Sequence, residues 1–501
     1  KFDLVIGNPP FVTGSLAKEL EKWEIKNEKI DIPQKQIALK FLVESFNYLK
    51  KDGLSCLIIK SSGLLYNSTS DDFKKMLFEN YDIIQIFDFT PLARNHSLWE
   101  NADVAAAAIF TKNQAPDIRK NILHLTFRRT KATIERIVFE IDDYDLHFIN
   151  RQTAIANPFI WKNNLLGGGR IRTLVEKVQE LPLFEEYLVR EDCYAEEGII
   201  VDKQDKKAAT YLKKMPFLPT EAINERCINY SRLTTFDWEK VDKLPKEEIF
   251  RTPNIILWKN VGKEKLPVFY NQVDFSFKNQ IIGIKGKNKQ LLKDIVINMN
   301  TYNDFYRFYI FVTSGYLLIN RNTSILKNDY MQLRYINENV EDYFSDFDRN
   351  IISDVNNYFQ LMLRKGENSK ALQPIAKKEL QSVLLHYGME FSRALNAIYG
   401  NEERQFRLAQ VVQLNNSFIA TVFKYDNLTN PVEFVNENAI NIEELSNEKL
   451  SAHLSVNRII KLYPEKDMIV FVKPNQYRYW LSLTAYRDAD KCFSDLINIG
   501  Y

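Results

Sequence analysis

The spacing of apolar residues over the first 110 positions switches between the periods of strands and helices. Residues 2–6, FDLVI, alternate and predict a short buried strand that ends at Gly7. The same criterion predicts a helix over 35–51, a strand over 54–59, a helix over 71–79, and strands over 83–87 and 104–110. The helix 35–51 places these apolar residues on one face: Ala38, Phe41, Leu42, Phe46 and Leu49. Because a polar loop joins the last two strands, we expect them to pair. The predicted fold class is α/β.

The first strand leads into a stiff loop. Pro9 and Pro10 have no N–H and a fixed φ, so neither can continue a central ladder. Asn8 and Phe11 are therefore presented at the carboxyl end of a strand, which is where open α/β sheets bind ligands. The simpler interpretation is a strand-to-loop turn with an exposed Phe.

Composition narrows the class of protein. With 501 residues, 45% hydrophobic and 26% charged, the chain is expected to be a soluble globular protein of two to four domains. No run of 18 apolar residues and no signal pattern is present, so we expect a cytoplasmic location and no membrane partner. The four cysteines and five histidines are scattered, which predicts free thiols and no metal site.

The net charge of +2 means that any nucleic-acid surface must be local. Residues 251–330 carry twelve Lys or Arg against five acids, a balance that suits phosphate contacts. Arginines such as Arg307 and Arg321 suit bidentate contacts to guanine. The candidate DNA-binding residues are Arg251, Lys259, Lys278, Lys285, Lys287, Lys289, Arg307 and Arg321. The alternative is a solvated basic face.

The segment FDLVIGNPPF resembles the catalytic loop of S-adenosylmethionine-dependent amino-methyltransferases, in particular the DNA adenine-N6 methyltransferases. The resemblance implies catalytic roles for Asn8, Pro9, Pro10 and Phe11. The Asn8 oxygen and the Pro9 carbonyl would accept hydrogen bonds from the target amino group, and Phe11 would stack on a base flipped from the duplex. Asn8 would also touch the edge of the cofactor pocket. Trp99, in SLWENADVAAAAIF, occupies the place of a second stacking aromatic; its alternative role is to cover the sheet edge.

In the resembled family this loop follows the fourth strand of a seven-stranded sheet, and a glycine-rich cofactor loop comes earlier. Here one residue precedes the strand, and no buried strand leads into the glycine run 167–169. We therefore expect the second half of a Rossmann-like methyltransferase sheet, cut inside the catalytic domain. The cofactor would be S-adenosylmethionine, with its main binding residues outside this chain. Mg²⁺ would be needed only if a nuclease domain lies upstream.

The remaining chain resembles type IIG restriction–modification enzymes by weaker patterns, at 157–177 and in FKNQIIGIKG. The expected domains are the C-terminal half of a catalytic domain over 1–150, an α+β target-recognition domain over 151–340, and a mostly helical or α+β C-terminal domain over 341–501. Residues 340–425 are expected to be largely helical, and 455–473 to form a hairpin. Four charged residues of the tail are expected to form an ion-pair network: Arg478, Arg487, Asp488 and Asp490.

Together these features predict a site-specific DNA adenine-N6 methyltransferase from a bacterial restriction–modification or phage-defence system, with double-stranded DNA as partner. One alternative is the specificity portion of a bifunctional type IIG endonuclease–methyltransferase, non-catalytic in this chain. Protein-glutamine and ribosomal-RNA guanine methyltransferases also use loops of this kind, but the 350 or so residues beyond the catalytic segment argue against them.

Overall fold

The computed structural model describes residues 1–11, 22–25, 28–99, 103–136, 138–201, 207–262, 264–319, 322–337, 343–414, 416–437 and 458–498. The chain forms two compact units. The first unit combines residues 1–173 with residues 349–501, and the second comprises residues 174–348. No described helix combines the length and the apolar composition that a membrane span requires.

The N-terminal part of the first unit is built on one mixed sheet. Its strands, together with a short separate hairpin (β2 and β3), are β1 Phe2–Gly7, β2 Lys22–Ile25, β3 Glu28–Asp31, β4 Leu49–Lys60, β5 Asp82–Asp88, β6 Ala106–Lys112, β7 Ile122–Thr126 and β8 Leu146–Ile149. Among the described residues the sheet has the order β1-β4-β6-β5-β7-β8. Its helices are α1 Ile37–Tyr48, α2 Asp71–Asn80, α3 His96–Trp99, α4 Lys131–Arg136, α5 Arg151–Ala156, α6 Ile160–Leu165 and α7 Arg170–Val178.

Strand direction gathers several loops at one edge of this sheet. Strand β1 is parallel to β4, β6 is antiparallel to both β4 and β5, and β5 is parallel to β7. The carboxyl ends of β1, β4, β5 and β7 therefore lie at the same edge. The antiparallel pairing of β5 with β6 confirms the prediction for those two strands.

The prediction that the first strand is buried is wrong. Phe2, Leu4 and Ile6 are 61%, 54% and 72% exposed, although the strand itself forms as predicted. Within the described chain β1 pairs with β4 alone, at the end of the sheet order. Alternation identifies an apolar face but not what covers it. The same holds in α1, where Phe41 is exposed while Leu42 and Phe46 are buried.

The second unit is an α+β assembly of small sheets and short helices. Its four-stranded sheet has the order β15-β14-β17-β9, and a three-stranded sheet has the order β12-β11-β16. The strands are β9 Tyr194–Glu197, β10 Lys207–Ala208, β11 Pro216–Leu218, β12 Thr234–Thr235, β13 Lys240–Val241, β14 Asn254–Trp258, β15 Val268–Asn271, β16 Ser276–Phe277 and β17 Ile281–Lys285. The helices are α8 Phe184–Arg190, α9 Lys289–Thr301, α10 Asn303–Thr313 and α11 Lys327–Met331.

The C-terminal part is not mostly helical as predicted. Residues 405–426 form two long antiparallel strands within a five-stranded sheet of order β20-β18-β19-β22-β21. The strands are β18 Gln405–Leu414, β19 Phe418–Asp426, β20 Glu433–Glu437, β21 Ile460–Leu462 and β22 Met468–Pro474. The pairing of β21 with β22 confirms the predicted hairpin. The helices are α12 Asp346–Asp354, α13 Gln360–Lys365, α14 Lys377–Tyr399 and α15 Ser482–Asn498.

The predicted third domain packs with the first segment rather than standing apart. The unit boundaries fall at 173/174 and 348/349, not at 150/151 and 340/341, and residues 349–501 join the unit of residues 1–173. A set of buried polar residues, the buried charge network, connects the two segments. Its members are Arg128, Asp142, Tyr144, Asp145, Tyr387, Lys473, Arg478, Tyr479 and Asp488.

Asp488 is the centre of one half of this network. Its carboxylate accepts hydrogen bonds from Lys473 Nζ at 2.6 Å, Tyr144 Oη at 2.7 Å and Tyr387 Oη at 2.8 Å. In the other half, Asp145 accepts from Arg128 Nε at 3.0 Å and Arg478 Nη2 at 2.7 Å. Charges taken out of water need such partners to be tolerated.

The ion pairs of the tail differ from those predicted. Arg478 pairs with Asp145, and Asp490 pairs with Arg170 at 2.7 Å. Arg487 donates to backbone carbonyl groups, including that of Tyr144 at 2.7 Å. Three of the tail charges, Arg478, Arg487 and Asp490, therefore contact residues 320–343 positions away, a separation that sequence spacing does not reveal. The fourth, Asp488, pairs with Lys473, 15 positions away, rather than with the other three.

We expect Lys473→Met to destabilise the first unit by about 3–5 kcal/mol, because it leaves the Asp488 carboxylate buried without its cation. The double variant Lys473→Met/Asp488→Asn should regain part of that loss. Urea unfolding followed by tryptophan fluorescence measures both. Lys491→Met is the matched control, because the Lys491 ammonium is partly exposed and lies 3.4 Å from the Asp143 carboxylate. A double variant less stable than Lys473→Met would contradict this account of the pair.

A second buried carboxylate makes stability depend on pH. Asp354, at the end of α12, accepts a hydrogen bond of 2.8 Å from the backbone N–H of Leu483 in the first turn of α15. Burial raises the pKa of Asp354 to about 7, against an ordinary value of 3.8. Between these values the folded chain holds a proton that the unfolded chain has released. The contribution of Asp354 to stability therefore falls as the pH rises from about 4 to about 7.

The side chain of the variant Asp354→Asn cannot ionise. The free energy of unfolding of the variant minus that of the unmodified chain should therefore be larger at pH 8 than at pH 5. Urea denaturation midpoints at the two pH values provide the comparison. The control is Asp346→Asn, which changes an exposed residue of the same helix. Its urea midpoint should differ from that of the unmodified chain by the same amount at pH 5 and at pH 8. An equal difference for Asp354→Asn at both pH values would show that the carboxyl does not titrate in this window.

Candidate functional site

The loop Asn8–Phe11 lies at the carboxyl edge of the first sheet, directly after β1. The last paired residue of the strand is Gly7, opposite Leu57 of β4. Pro9 is buried, Phe11 is half-buried, and Asn8 and Pro10 are exposed. The buried Pro9 therefore anchors a loop whose neighbouring amide side chain remains accessible to a ligand. Diproline stiffness fixes this arrangement before any ligand binds.

Trp99 belongs to an aromatic cluster in the loop between β5 and β6. It is half-buried and lies edge-on to Phe89, with ring centroids 5.9 Å apart. Phe89 in turn stacks on Phe127, with centroids 4.4 Å apart. The indole Nε1 has no hydrogen-bond partner among the described residues. Within the described chain no direct ring contact joins Trp99 to Phe11.

Buried polar residues link the loops that follow β4 and β5. Tyr66 Oη donates to Asp88 Oδ2, and the backbone N–H of Thr90 donates to Asp88 Oδ1 at 2.9 Å. Burial and the Asp88 charge raise the pKa of Tyr66 well above its ordinary value, so the phenol remains a donor. Ser61 Oγ and Thr90 Oγ1 are 2.6 Å apart. These bonds stiffen the carboxyl edge beside the candidate catalytic loop.

His124 extends this cluster across to β7. Its Nε2 is 3.4 Å from Asp88 Oδ2, and Asn164 Nδ2 is 3.1 Å from its Nδ1. His124 therefore lies between the Asp88 carboxylate and the Asn164 amide. Sequence reasoning missed Tyr66, Asp88 and His124. The sequence offers one local indication, and it concerns Asp88 alone. This residue ends an apolar strand, at the edge of the sheet where ligands bind.

The glycine run 167–169 does not follow a strand. It separates α6 from α7, and its three φ angles are 116°, 65° and 58°, a left-handed turn that suits glycine. It therefore does not form a strand-to-helix cofactor loop.

Several candidate DNA-binding residues of the second unit bind their own chain. Arg251 pairs with Glu247 at 2.7 Å and with Asp274 at 3.0 Å. Lys259 is mostly buried and pairs with Glu197 at 2.9 Å. Lys285 donates to the carbonyl groups of Arg251 at 2.8 Å and Pro253 at 3.0 Å, so it holds the start of β14.

The other candidates differ in accessibility. Arg307 is buried, with Nη1 donating to the Glu264 carbonyl at 2.8 Å, so in this structure it does not reach solvent. Lys278 lies over the Trp238 ring, 4.6 Å from its centroid. Lys287 is exposed, with 91% of its side chain accessible, and Lys289 is also exposed. Arg321 lies outside the described residues.

Comparison with known families supports the resemblance given by the loop. Residues 1–93 match the family described as Eco57I restriction-modification methylase. This match confirms the predicted resemblance to restriction–modification methylases in the segment that holds the Asn8–Phe11 loop. No curated protein matches the chain.

Solved structures with some similarity come from restriction–modification systems. The type IIG restriction endonuclease BpuSI is 14% identical, over 76% of this chain and 51% of that chain, with a TM-score of 0.27. A type I methyltransferase subunit from Streptococcus thermophilus is 19% identical, over 31% of this chain and 36% of that one, with a TM-score of 0.22. The DNA-bound Type ISP enzyme LlaBIII is 9% identical, over 99% of this chain and 37% of that chain, with a TM-score of 0.28. The chain thus spans between about a third and a half of these three proteins.

Proposed function

We propose that this chain is part of a DNA methyltransferase of a restriction–modification system, which transfers a methyl group from S-adenosylmethionine to adenine N6. The observation that carries the proposal is the position of Asn8-Pro9-Pro10-Phe11. These residues form a stiff loop at the carboxyl end of β1, within the segment that matches the methylase family. The fold of the described residues gives the loop the location at which open α/β sheets bind ligands.

The residues of the loop suit an attack by an exocyclic amino group. The nitrogen lone pair of adenine N6 is delocalised into the ring, which makes it a poor nucleophile. Asn8 Oδ1 and the Pro9 carbonyl oxygen would accept the two amino hydrogens and draw the nitrogen towards tetrahedral geometry. The lone pair would then be free to attack the methyl carbon of the donor, and the C–N bond would form as the donor's methyl C–S bond breaks and a neutral thioether leaves. One amino proton would then be lost to solvent, which restores a neutral amine. The anchored Pro9 lowers the cost of holding both acceptors in place.

The target base would have to leave the duplex to reach this loop, and Phe11 offers a stacking surface for it. Phe11 is half-buried, so one part of the ring is held by the protein while another part remains accessible. Trp99 supports the Phe89 and Phe127 cluster at the same edge. We assign Trp99 to the wall of the base pocket, where it stays the candidate second stacking aromatic.

The methyl donor of the proposed reaction is S-adenosylmethionine. When bound, S-adenosylmethionine supplies an electrophilic methyl group. Among the described residues of this chain, Asn8 is the one that we assign to the edge of its pocket. The glycine run 167–169 lies between helices and does not cradle a nucleotide. In this proposal Asn8 and Pro9 present the target amino group to the methyl donor.

DNA binding by the second unit would rest on fewer residues than its charge suggests. Lys287 and Lys289 are exposed at the start of α9, whereas Arg251, Lys259, Lys285 and Arg307 have partners in the chain. An exposed ion pair such as that of Lys287 with Asp192 contributes little, so the lysine can exchange it for a phosphate. If Asn8 proves dispensable for methylation, the specificity portion of a type IIG enzyme becomes the better description.

We expect Asn8→Ala to lower the methylation rate at least about 100-fold in the natural protein that carries this sequence, because the amide acts in the transition state. The affinity for duplex DNA should stay within about threefold, since the amide contributes little to holding the duplex. Tritiated methyl transfer to an adenine-containing duplex gives the rate, and fluorescence anisotropy gives the affinity. The matched control is Asn47→Ala, on the exposed face of α1. Near-normal turnover of Asn8→Ala would refute the assignment.

We expect the double variant Lys287→Ala/Lys289→Ala to bind every duplex more weakly. It should reduce the slope of log affinity against log salt by up to about two, because each lost phosphate contact accounts for about 0.9. Salt titrations on specific and random duplexes measure this slope. Lys377→Ala/Lys378→Ala, an exposed pair at the start of α14, is the control and should leave the slope unchanged.

Lys285→Ala provides a contrasting case. Because Lys285 holds the carbonyl groups before β14, its loss should lower the unfolding temperature of the protein and change the salt slope less than the double variant does. An unchanged slope in the Lys287/Lys289 variant would mean that this segment is a solvated basic face.

A further inference from the structure

A cleft lies in the first unit, beside the carboxyl ends of β5 and β7. Its polar walls include Thr126, Arg128 and Arg129, which follow or end β7, together with Asn164 and Arg478. Met362 and other apolar residues form the opposite wall. In the sheet order, β7 is four strands from β1, which corresponds to roughly 19 Å at the usual strand spacing. The cleft is therefore separate from the Asn8–Phe11 loop.

Two of the arginines of this cleft are almost fully buried, with 4% and 5% of the side chains of Arg128 and Arg478 exposed. Arg128 donates through Nε to Asp145, and through Nη2 to Asp142 and the Glu140 carbonyl. Arg478 donates through Nη2 to Asp145. The Nη1 of each arginine has no hydrogen-bond partner among the described residues. Buried donors without partners are uncommon in folded proteins and require an explanation.

The arginines around the cleft offer hydrogen-bond donors to an anion. Arg128, Arg129 and Arg478 line it together with a single acid, Asp145. Both carboxylate oxygens of Asp145 already accept hydrogen bonds, Oδ1 from Arg478 and Oδ2 from Arg128. Arg129 is held from the outside by Glu367, at 2.7 Å between Nε and Oε2. Asp142 also pairs with Arg128, so three carboxylates balance the three arginines. What remains for a ligand is the donor capacity of two buried guanidinium nitrogens, the Nη1 atoms of Arg128 and Arg478.

We propose that this cleft is a binding site for a phosphate group. The Nη1 atoms of Arg128 and Arg478 would donate to the phosphate oxygens, and Arg129 would add a third positive charge. Arginine suits this task because its planar fork matches tetrahedral oxyanions and stays charged at all relevant pH values. The apolar wall at Met362 limits water, which strengthens these charge-assisted bonds.

The depth of the two arginines favours a small free anion or a phosphate ester as the ligand. A phosphate of the DNA backbone is the other possible source of the same chemistry. The binding measurements below distinguish the two, and they do not depend on methylation. Failure of the Asn8 assignment and failure of the phosphate site would therefore be recognised separately.

The first experiment titrates the natural protein with inorganic phosphate by isothermal calorimetry, at ionic strength held constant with chloride. We expect saturable binding with a dissociation constant of about 1 mM or lower. Met362→Glu would place a carboxylate among the guanidinium groups, and it should weaken phosphate binding at least about tenfold. Met389→Glu makes the same change at an exposed position of α14 and should leave the affinity unaltered.

Arg129→Gln provides a second variant that leaves the buried charge network intact. It should weaken phosphate binding by about threefold to tenfold, with Arg119→Gln, at a highly exposed arginine, as its control. Circular dichroism establishes whether each variant is folded. If Met362→Glu does not fold, the phosphate affinity of Arg129→Gln tests the proposal. Absence of saturable phosphate binding by the unmodified protein would overturn the proposal. Equal affinities of both cleft variants and their controls would also overturn it.

Duplex binding then identifies the source of the phosphate. If a backbone phosphate occupies the cleft, Met362→Glu should bind duplex DNA more weakly than Met389→Glu does, and inorganic phosphate should compete with the duplex at constant ionic strength. If a free anion or ester is the ligand, both variants should bind the duplex equally while their phosphate affinities still differ. Either result supports the site.

Discussion

The buried pairing of Asp488 with Lys473 is the constraint on which the first unit depends. Asp488 lies in α15 and Lys473 in β22, and the carboxylate is also held by Tyr144 from the N-terminal part of the chain. A charge this deeply buried is tolerated only while its partners stay in place. The network therefore joins the C-terminal sheet and helices to the segment after β7. This is why residues 349–501 fold with residues 1–173.

The same network also shapes the cleft beside β7. Asp145 and Asp142 hold Arg128, and Asp145 also holds Arg478, so the two guanidinium groups are fixed before any ligand arrives. The carboxylates accept hydrogen bonds from part of each guanidinium group. The Nη1 atoms of Arg128 and Arg478 are left able to donate further hydrogen bonds. Stability and binding are linked here because the ion pairs that make burial tolerable also orient the donors. Preorganised donors of this kind bind anions with little further cost in ordering.

The candidate catalytic loop depends on local backbone geometry rather than on long-range ion pairs. Its geometry is local, since two successive prolines fix the backbone and a buried Pro9 anchors it beside β4. The sheet contributes direction, because parallel β1, β4, β5 and β7 bring their carboxyl ends to one edge. The hydrogen bonds of Asp88 with Tyr66 and Thr90 then stiffen the neighbouring loops. The site thus combines a rigid loop with a rigid edge and leaves Asn8 accessible.

The sequence by itself determined the features that depend on neighbouring residues: the strand before Asn8, the diproline loop, helices α1 and α2, strands β4, β5 and β6, and the hairpin of β21 and β22. It did not predict the hairpin of β2 and β3 or helix α3. The tertiary structure decided what covers each face. It exposed Phe2 and Phe41, which alternation and helical spacing had assigned to the core, and it buried Arg307, which charge alone had assigned to DNA. It also placed Arg478 beside Asp145, 333 residues away. The physical reason is range: backbone geometry and periodicity act over a few residues, whereas burial and ion pairing join segments that only folding brings together.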